Sequence, residues 1–541
     1  MKKLFLGVLM AVTAITSPLL MANTNDKNDQ QEVINIYFAR HGKTLLNSFD
    51  RVQGWIDSPL TKDGVQVAQY LGEGLKGIKF DRFYSSDAGR QRETMAVILK
   101  QAGVTKMFKN ITSALIACGL VTPVWAATDA ISDDPFFTDS QLTVSAKNYW
   151  KYLKEENANP KHVHNAWGQG FSAEYQSGYF ADIIGFDVSY YSAIKLGASD
   201  YFNSRGVLYN NGTGNKKSNA EGYSKFGQRN VKLNYTLSGA QLNARWGWQM
   251  LKNYGVISTS NRLSPTTYSG VSSAVSYGPF TIRGAWLENS MDRNSPDKKQ
   301  FQTNTGKYIS HLASGEVLWR GEKFDAQYAY GESKNYLQRH LLFTQFRADS
   351  QITIGTQVYG THAMERYRAM PASKRDFDNN AWHFALDATW KGERWNSKMG
   401  IGYTNAKKAG EVGFYPRHMS KNSRGTFISM AYAGDDYMRD GELVLANITE
   451  YRLTPELAVG LAGNIGQFNY KGNHVRTGEI NAFSRWVPTQ SMFKNFTFWA
   501  MFGPGWSYKT QGKTPVLTDG HYTRTNTLSS EVIMEYRFKV F

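Results

Sequence analysis

Arg40, His41 and Gly42 stand together at the end of a β-branched and aromatic run, Val33-Ile34-Asn35-Ile36-Tyr37-Phe38. Lys43, Thr44 and Asn47 follow, and a further basic residue, Arg90, comes shortly after Ser85-Ser86-Asp87. An imidazole at a strand end can stay neutral and exposed, as a nucleophile toward phosphorus must. Guanidinium groups around it neutralise phosphoryl oxygens through forked hydrogen bonds. These residue types in this order point to phosphoryl transfer.

Few elements are available to hold them. Residues 33–38 read as a buried strand, a helix-like stretch runs from Gly64 to about Leu75, and Phe80 to Tyr84 reads as a second strand. Arg90 then falls one turn into a following helix. Between strand and helix lies Gln53-Gly54-Trp55-Ile56-Asp57-Ser58-Pro59-Leu60-Thr61. In this order, residues 33–105 resemble the histidine phosphatase (phosphoglycerate mutase-like) family. The resemblance implies His41 as the phosphorylated nucleophile, Arg40 and Arg90 as phosphate clamps, and Asn47 as a polar pocket contact. It also implies an acidic residue and a second histidine from later strands of a larger sheet. Here the α/β pattern stops near Ala102-Gly103, and the next histidines, His162 and His164, lie in a polar stretch. Two strands and two helices cannot cover both faces of a parallel sheet. The fragment is therefore expected to be incomplete, poorly folded and without enzymatic activity.

Two segments carry the grammar of secretion signals. Residues 1–22 have Lys2-Lys3, an apolar run and Leu20-Met21-Ala22. Residues 107–126 repeat it, from Met107 and Lys109 through an apolar stretch to Val124-Trp125-Ala126. An internal signal divides the chain into residues 1–22, 23–106, 107–126 and 127–541, with cleavage expected after Ala126. Cys118 is the only cysteine and lies in the second signal, where Leu115-Ile116-Ala117-Cys118 also resembles a lipoprotein box. A product beginning near Ala127 has no cysteine, which excludes disulfides and cysteine-ligated zinc. No cofactor or metal is implied.

Beyond Ala127 the texture is that of short strands. Aromatic residues are 14% of the 541 residues, yet mean hydropathy is −0.47. Outside the two signals no apolar run approaches the ~20 residues of a membrane helix. Partial period-2 alternation marks Tyr179 to Leu196, Asn230 to Trp248, Lys307 to Trp319, Phe324 to Tyr330 and Ala381 to Trp390. It recurs in Phe427 to Tyr432, Glu442 to Tyr451, Leu457 to Tyr470, Phe493 to Trp506 and Ser529 to Phe541. Such strands with turn residues between them mean a sandwich or a barrel, and no fixed-period repeat is present. Tyr149-Trp150, Tyr190-Tyr191, Trp246, Trp248, Trp382, Trp390, Trp395, Trp486, Trp499 and Trp506 fall near segment ends, as girdles of a membrane barrel do. The chain closes on a strand whose apolar set, Val532, Met534, Tyr536, Phe538 and Val540, is out of phase with Phe541.

The start of this region narrows the family. Phe136-Phe137-Thr138-Asp139-Ser140-Gln141-Leu142 is followed by Lys147-Asn148-Tyr149-Trp150 and Trp167-Gly168-Gln169-Gly170-Phe171. Tyr175-Gln176-Ser177-Gly178-Tyr179, Ile184-Gly185-Phe186-Asp187-Val188 and Lys195-Leu196-Gly197 come next. In this order the chain resembles the OprD family of outer-membrane porins, chitoporins included. The resemblance implies an all-β chain, a transmembrane antiparallel β-barrel of 18 strands with inward-folded loops, preceded by the incomplete α/β fragment. It implies passive uptake of small hydrophilic solutes, carboxylates among them, in the outer membrane of a Gram-negative bacterium. Expected partners are outer-membrane lipid, lipopolysaccharide and the barrel-assembly machinery, with a monomer or trimer and no nucleic acid. Of the net charge of +17, residues 107–541 carry +13, which suits a basic lumen that concentrates anions, or external loops that pair with lipopolysaccharide phosphates. Aromatic residues in a channel would instead favour oligosaccharides. Asp435, Asp436, Glu442 and Glu450 are acidic candidates for a constriction or solvated loop charges. No individual pore-lining residue is identifiable at this level. The alternatives are a secreted phosphatase using Arg40, His41 and Arg90 with a C-terminal β domain, or a soluble β-sandwich adhesin.

Overall fold

The computed structural model describes residues 39, 41–44, 59–78, 89–103, 135–156, 163–199, 206–210, 220–427, 437–489, 493–511 and 514–541. The chain divides into two compact units, Met1–Ala127 and Thr128–Phe541. Both signal-like segments with Cys118, the strands expected at 33–38 and 80–84, and Arg40 and Asn47 lie outside the described residues.

In the first unit, helix α1 (Lys62–Gly74) packs on helix α2 (Gly89–Gln101). Thr61 caps α1, its Oγ1 accepting from the Gly64 N–H at 3.0 Å, and Asp63 suits the positive end of the helix dipole. Ala68 and Gly72 are buried on α1. A Cβ on Gly72 would lie 2.5 Å from the Ile98 carbonyl oxygen, so this close crossing needs glycine there. Arg90 lies on α2, next to its first described residue, Gly89.

The second unit is a closed antiparallel barrel of eighteen strands. The first six are β1 (Gln141–Glu155), β2 (Val163–Gln176), β3 (Ile184–Ala198), β4 (Tyr223–Leu237), β5 (Ala240–Gln249) and β6 (Thr267–Tyr277). Next come β7 (Phe280–Met291), β8 (Leu312–Arg320), β9 (Phe324–Ser333), β10 (Leu337–Arg347), β11 (Ile352–Ala363) and β12 (Asn380–Lys391). The last are β13 (Trp395–Asn405), β14 (Leu443–Arg452), β15 (Leu457–Tyr470), β16 (Asn473–Trp486), β17 (Phe496–Tyr508) and β18 (Arg524–Lys539). Each pairs with the next, and β18 pairs back onto β1 from Thr143↔Lys539 to Glu155↔Thr527. Closure leaves no barrel edge with unpaired backbone groups, the condition for a sheet in hydrocarbon.

Period-2 alternation runs opposite to that of a soluble barrel. Val231, Trp246, Val271, Ile282, Leu386, Leu445 and Ile480 are exposed on the outer face. Their neighbours Asn230, Lys232, Ser272, Asp387, Glu479 and Asn481 are buried inside. Apolar out and polar in is the arrangement of a barrel bathed in lipid around a wet lumen. A soluble sandwich does not have it. Two-residue turns such as Ser238-Gly239, both at positive φ, crowd one end, where their twist matches the hairpin. The longer connections 250–266, 292–311, 364–379 and 406–442 gather at the other end.

Several expected segments need correction. The stretch from Tyr179 to Leu196 is not one strand: Ala181 and Asp182 turn at positive φ before β3 begins. Asn230 to Trp248 is a hairpin of β4 and β5, and Lys307 to Trp319 is a short pairing at Tyr308–Ile309 followed by β8. Phe427 lies in a connection rather than a strand, and the rest of the segment to Tyr432 is outside the described residues. Tyr149, Tyr191 and Trp499 are not girdle residues. They sit at inward positions of β1, β3 and β17, because alternation sends only every second aromatic to the lipid side. Trp246, Trp382, Trp390 and Trp395 do face outward. On β18, Met534, Tyr536 and Phe538 are exposed outward, the phase expected from sequence.

Candidate functional site

Two long connections turn into the barrel: 250–266 after β5 and, in the described residues 406–427, the one after β13. They pair with each other through an antiparallel bridge between Ile257 and Gly425. The Ser258 N–H donates to the Arg424 carbonyl at 2.8 Å, and the Thr426 N–H to the Val256 carbonyl at 3.0 Å. Tyr268 of β6, fully buried, ties the junction. Its hydroxyl donates to the Ser258 carbonyl at 2.9 Å and accepts from the Arg424 N–H at 2.8 Å. The second connection then runs along the inner wall. Thr361 of β11 donates to the Tyr415 hydroxyl at 2.9 Å, and Arg339 of β10 donates to the Arg417 carbonyl at 3.0 Å and to that of Pro416. Ser333 of β9 donates to the Met419 carbonyl, and Ser290 of β7 to that of Asn422 at 2.7 Å. All four wall residues are buried, so the connection occupies the lumen. Buried Tyr359, Tyr367, Phe377, Tyr415 and Met419 pack the space around it.

Three guanidinium groups gather where these connections narrow the lumen. Arg262 comes from the first connection, Arg424 from the second and Arg293 from the one after β7. A Cβ built on Gly206 would lie 2.7 Å from Arg293 Nη2 and 2.9 Å from Arg262 Nη1, so both groups converge on one small region. Arg262 also lies over the Tyr149 ring, 5.9 Å from its centroid. Asp292 lies among them, its Oδ1 3.2 Å from Arg424 Nη2, and the largely buried Glu531 carboxylate acts on Arg262. Arg262 Nη1, Arg293 Nε and Arg424 Nε are buried without a hydrogen-bond partner in the protein. Burial, and then Arg262 and Arg424 alongside, push the Arg293 guanidinium down to about 9, still cationic at neutral pH. Burial, followed by Arg424, Arg417 and Arg339, holds His418 well below the ordinary imidazole range. Its Nδ1 accepts from the Gly425 N–H at 3.3 Å, and its Nε2 is 3.4 Å from Arg424 Nη1. Both neighbours are donors, so an imidazolium there would find no acceptor in either of them.

Many other lumen charges are paired. Lys151 meets Glu531 at 2.9 Å, Lys232 meets Asp187 at 2.9 Å, Lys398 meets Asp387 at 3.1 Å and Arg347 meets Asp325 at 2.7 Å. Beside the loop junction lies a cavity of about 360 Å³, lined by Arg320, Asp325, Gln327, Phe343, Asp387 and Lys398 and by Asn253 and Thr426 of the two connections. Of the acidic candidates, Glu442 is neither solvated nor free in the lumen: it is fully buried and held by Arg439 at 3.0 Å. Glu450 pairs with Arg485 at 2.7 Å. Asp435 and Asp436 lie outside the described residues. Arg262, Arg293 and Arg424 were not singled out from sequence. They occur in connections without periodic pattern, and only the pairing of two loops distant in sequence brings them together.

In the first unit, His41 Nδ1 lies 2.9 Å from the Gly42 carbonyl oxygen. The Gly42 N–H donates to Thr94 Oγ1 at 3.1 Å, and that hydroxyl donates to the Arg90 carbonyl at 2.6 Å. The backbone beside His41 is thereby fastened to the first turns of α2, which carry Arg90. Thr44 bridges Leu60, whose N–H donates to Glu93 at 3.1 Å.

A closed barrel, apolar outside, polar inside and narrowed by in-folded loops, defines a membrane porin. The sequence profile of the outer membrane porins of the OprD family matches residues 134–481. The chain belongs to that family. Among solved structures, OccAB1 of Acinetobacter baumannii aligns with TM-score 0.61 at 14% identity, over 76% of this chain and 99% of that one. OccK8 (OprE) of Pseudomonas aeruginosa aligns with TM-score 0.58 at 15% identity, over 75% and 100%. At such identities the likeness is one of fold. The profile of the histidine phosphatase superfamily (branch 1) matches residues 36–110. The 2,3-bisphosphoglycerate-dependent phosphoglycerate mutase of Methanococcus vannielii is 36% identical over 75 residues, 14% of this chain and 32% of that protein. This chain thus spans about a third of the length of the curated relatives it matches.

Proposed function

We propose that the barrel is a passive channel for small hydrophilic anions, carboxylates foremost, in the outer membrane of a Gram-negative bacterium. The convergence of Arg262, Arg293 and Arg424, with Asp292 against Arg424 and Glu531 acting on Arg262 among the described residues, carries this reading. Fixed cations in a low-dielectric constriction raise the local concentration of anions. Guanidinium groups can exchange a carboxylate's hydration for forked hydrogen bonds. The mixed-charge cavity beside the loop junction would receive the solute without holding it, since its acids face bases. An oligosaccharide channel has less support: rings such as Tyr359 and Tyr415 are buried in loop packing and offer no open face to a sugar. Swelling of proteoliposomes in isotonic solutions of a monocarboxylate and of a neutral sugar of equal size tests the reading. Faster swelling with the carboxylate is expected, and equal rates or faster entry of the sugar would overturn it.

The phosphatase-like segment is proposed to be inactive. The match ends at residue 110, short of the region where a family member's later acid and second histidine would lie. Wild-type chain and His41→Ala should give the same rate of phosphomonoester hydrolysis, indistinguishable from buffer. A rate lost with His41→Ala would establish an enzyme instead.

A further inference from the structure

Strand β4 exchanges its faces part-way along. Phe226 pairs with Tyr190 of β3 and Arg229 with Val188, so β4 advances three residues while β3 advances two. The extra residue is a bulge at Gly227-Gln228. The Gln228 N–H donates to Ser189 Oγ at 2.7 Å, and a Cβ on Gly227 would lie 2.4 Å from Cε2 of Tyr191, so the bulge needs glycine there. On the short-turn side of the bulge, Asn230 and Lys232 are buried inside while Val231 and Leu233 are exposed. On the other side, Tyr223 and Lys225 are the buried residues, and Ser224 and Phe226 are exposed. One inserted residue reverses parity. In an unbroken β4, Tyr223 and Lys225 would face lipid.

Turned inward, both side chains reach main chain that carries arginines. Lys225 Nζ donates to the Pro265 carbonyl at 2.9 Å and to the Asp292 carbonyl at 2.6 Å. The Tyr223 hydroxyl donates to the Arg293 carbonyl at 2.8 Å and lies 3.1 Å from Ser264 Oγ. Ser264-Pro265 ends the connection after β5, and Asp292-Arg293 begins the one after β7. Two neighbouring inward residues of one strand thus hold these two connections side by side. The Arg293 side chain also donates to Ser260 of the first connection, and Arg262 stands two residues before Ser264. Charge-assisted bonds from an ammonium fix such irregular backbone more firmly than neutral ones. Lys225 itself is buried and engaged by carbonyls, so it bears on a passing solute by where it holds its neighbours.

We propose that Tyr223 and Lys225 set the channel's anion preference by clamping the backbone of Arg293 beside the segment of Arg262, a role that the bulge in β4 makes possible. This rests on the anion-channel reading above. The test is the reversal potential of the detergent-purified full chain in planar bilayers under a potassium chloride gradient. Wild type is compared with Tyr223→Phe, Lys225→Met, Arg293→Gln and the two double variants that add Arg293→Gln. Tyr223→Phe removes a hydroxyl and no charge, so loss of lumen charge cannot account for its effect. Each clamp variant should lower the anion-to-cation permeability ratio by a few-fold. In the Arg293→Gln background neither should lower it further, because residues that act through one another are not additive. A wild-type ratio kept by Tyr223→Phe overturns the inference, whether or not Lys225→Met folds. So does a fall of equal size with and without Arg293. A wild type without anion preference overturns the channel reading and this inference together. An anion preference that depends on Arg293 but not on Tyr223 overturns this inference alone.

Discussion

The selectivity ascribed to this channel comes down to three guanidinium groups with fewer carboxylates beside them among the described residues. Replacing Arg262 or Arg424 by Gln removes a full charge from the site, and an interaction at ~4 Å is worth about 1 kcal/mol even in water, or about fivefold in partition. Each variant should lower the anion-to-cation permeability ratio by a few-fold at low salt. The effect should shrink at 1 M salt, where the screening length is ~3 Å; a ratio unchanged at low salt would remove that residue from the selectivity site. His418 sets a second expectation. Its folded pKa lies below the unfolded value, so as pH falls through the ordinary imidazole range the unfolded chain takes up a proton that the folded chain refuses. The barrel's stability should therefore decline below pH ~6.5 by this group's share, with no gain of lumen charge. Anion selectivity that stays level from pH 7.5 to 5.5, in wild type and His418→Asn alike, is the expected record. A rise confined to wild type would mean that the ring does protonate in place.

At the scale of elements, the constriction depends on the junction between two connections rather than on the strands. Tyr268 serves both partners with one hydroxyl, and Tyr268→Phe would leave the Ser258 carbonyl and Arg424 N–H without it, at about 1–3 kcal/mol. The expected readout is a noisier channel with larger conductance states while the barrel keeps its heat-modifiable gel mobility; a quiet channel of unchanged conductance would show that the junction holds without it. Such a junction is not legible in sequence, because residues 256–258 and 424–426 carry no shared periodicity. The strands were legible in part. Those with large outward residues, such as β12 with Trp382, Phe384, Leu386 and Trp390, announced themselves. Those whose outward side is small or polar did not: β6 presents Ser269 and Ser273 along with Val271 and Val275. The hairpin β4–β5 merged into one segment because the turn Ser238-Gly239 is only two residues long. Aromatic position was a weaker guide than parity, since Tyr149 and Tyr190-Tyr191 each required knowing which face a residue takes.

At the scale of the whole molecule, two sequences of different kinds are joined. The first unit retains the fastening of the His41 backbone to the helix of Arg90 through Thr94, while the family match covers only about a third of a curated relative's length. The second unit is closed on itself through β1 and β18, and the short turn ahead of β1 joins it, the Phe136 carbonyl accepting from the Gly178 N–H at 3.0 Å. Material recovered from outer membranes should accordingly begin at Ala127. A start near Asn23 would mean that both units travel together and would make phosphate chemistry at His41 worth measuring. The central claim concerns the barrel. Its most direct test is the reversal potential of the purified channel in a planar bilayer under a tenfold gradient of potassium chloride. The expected potential has the sign set by chloride passing faster than potassium. A potential of the opposite sign, or the absence of conducting channels, would contradict it.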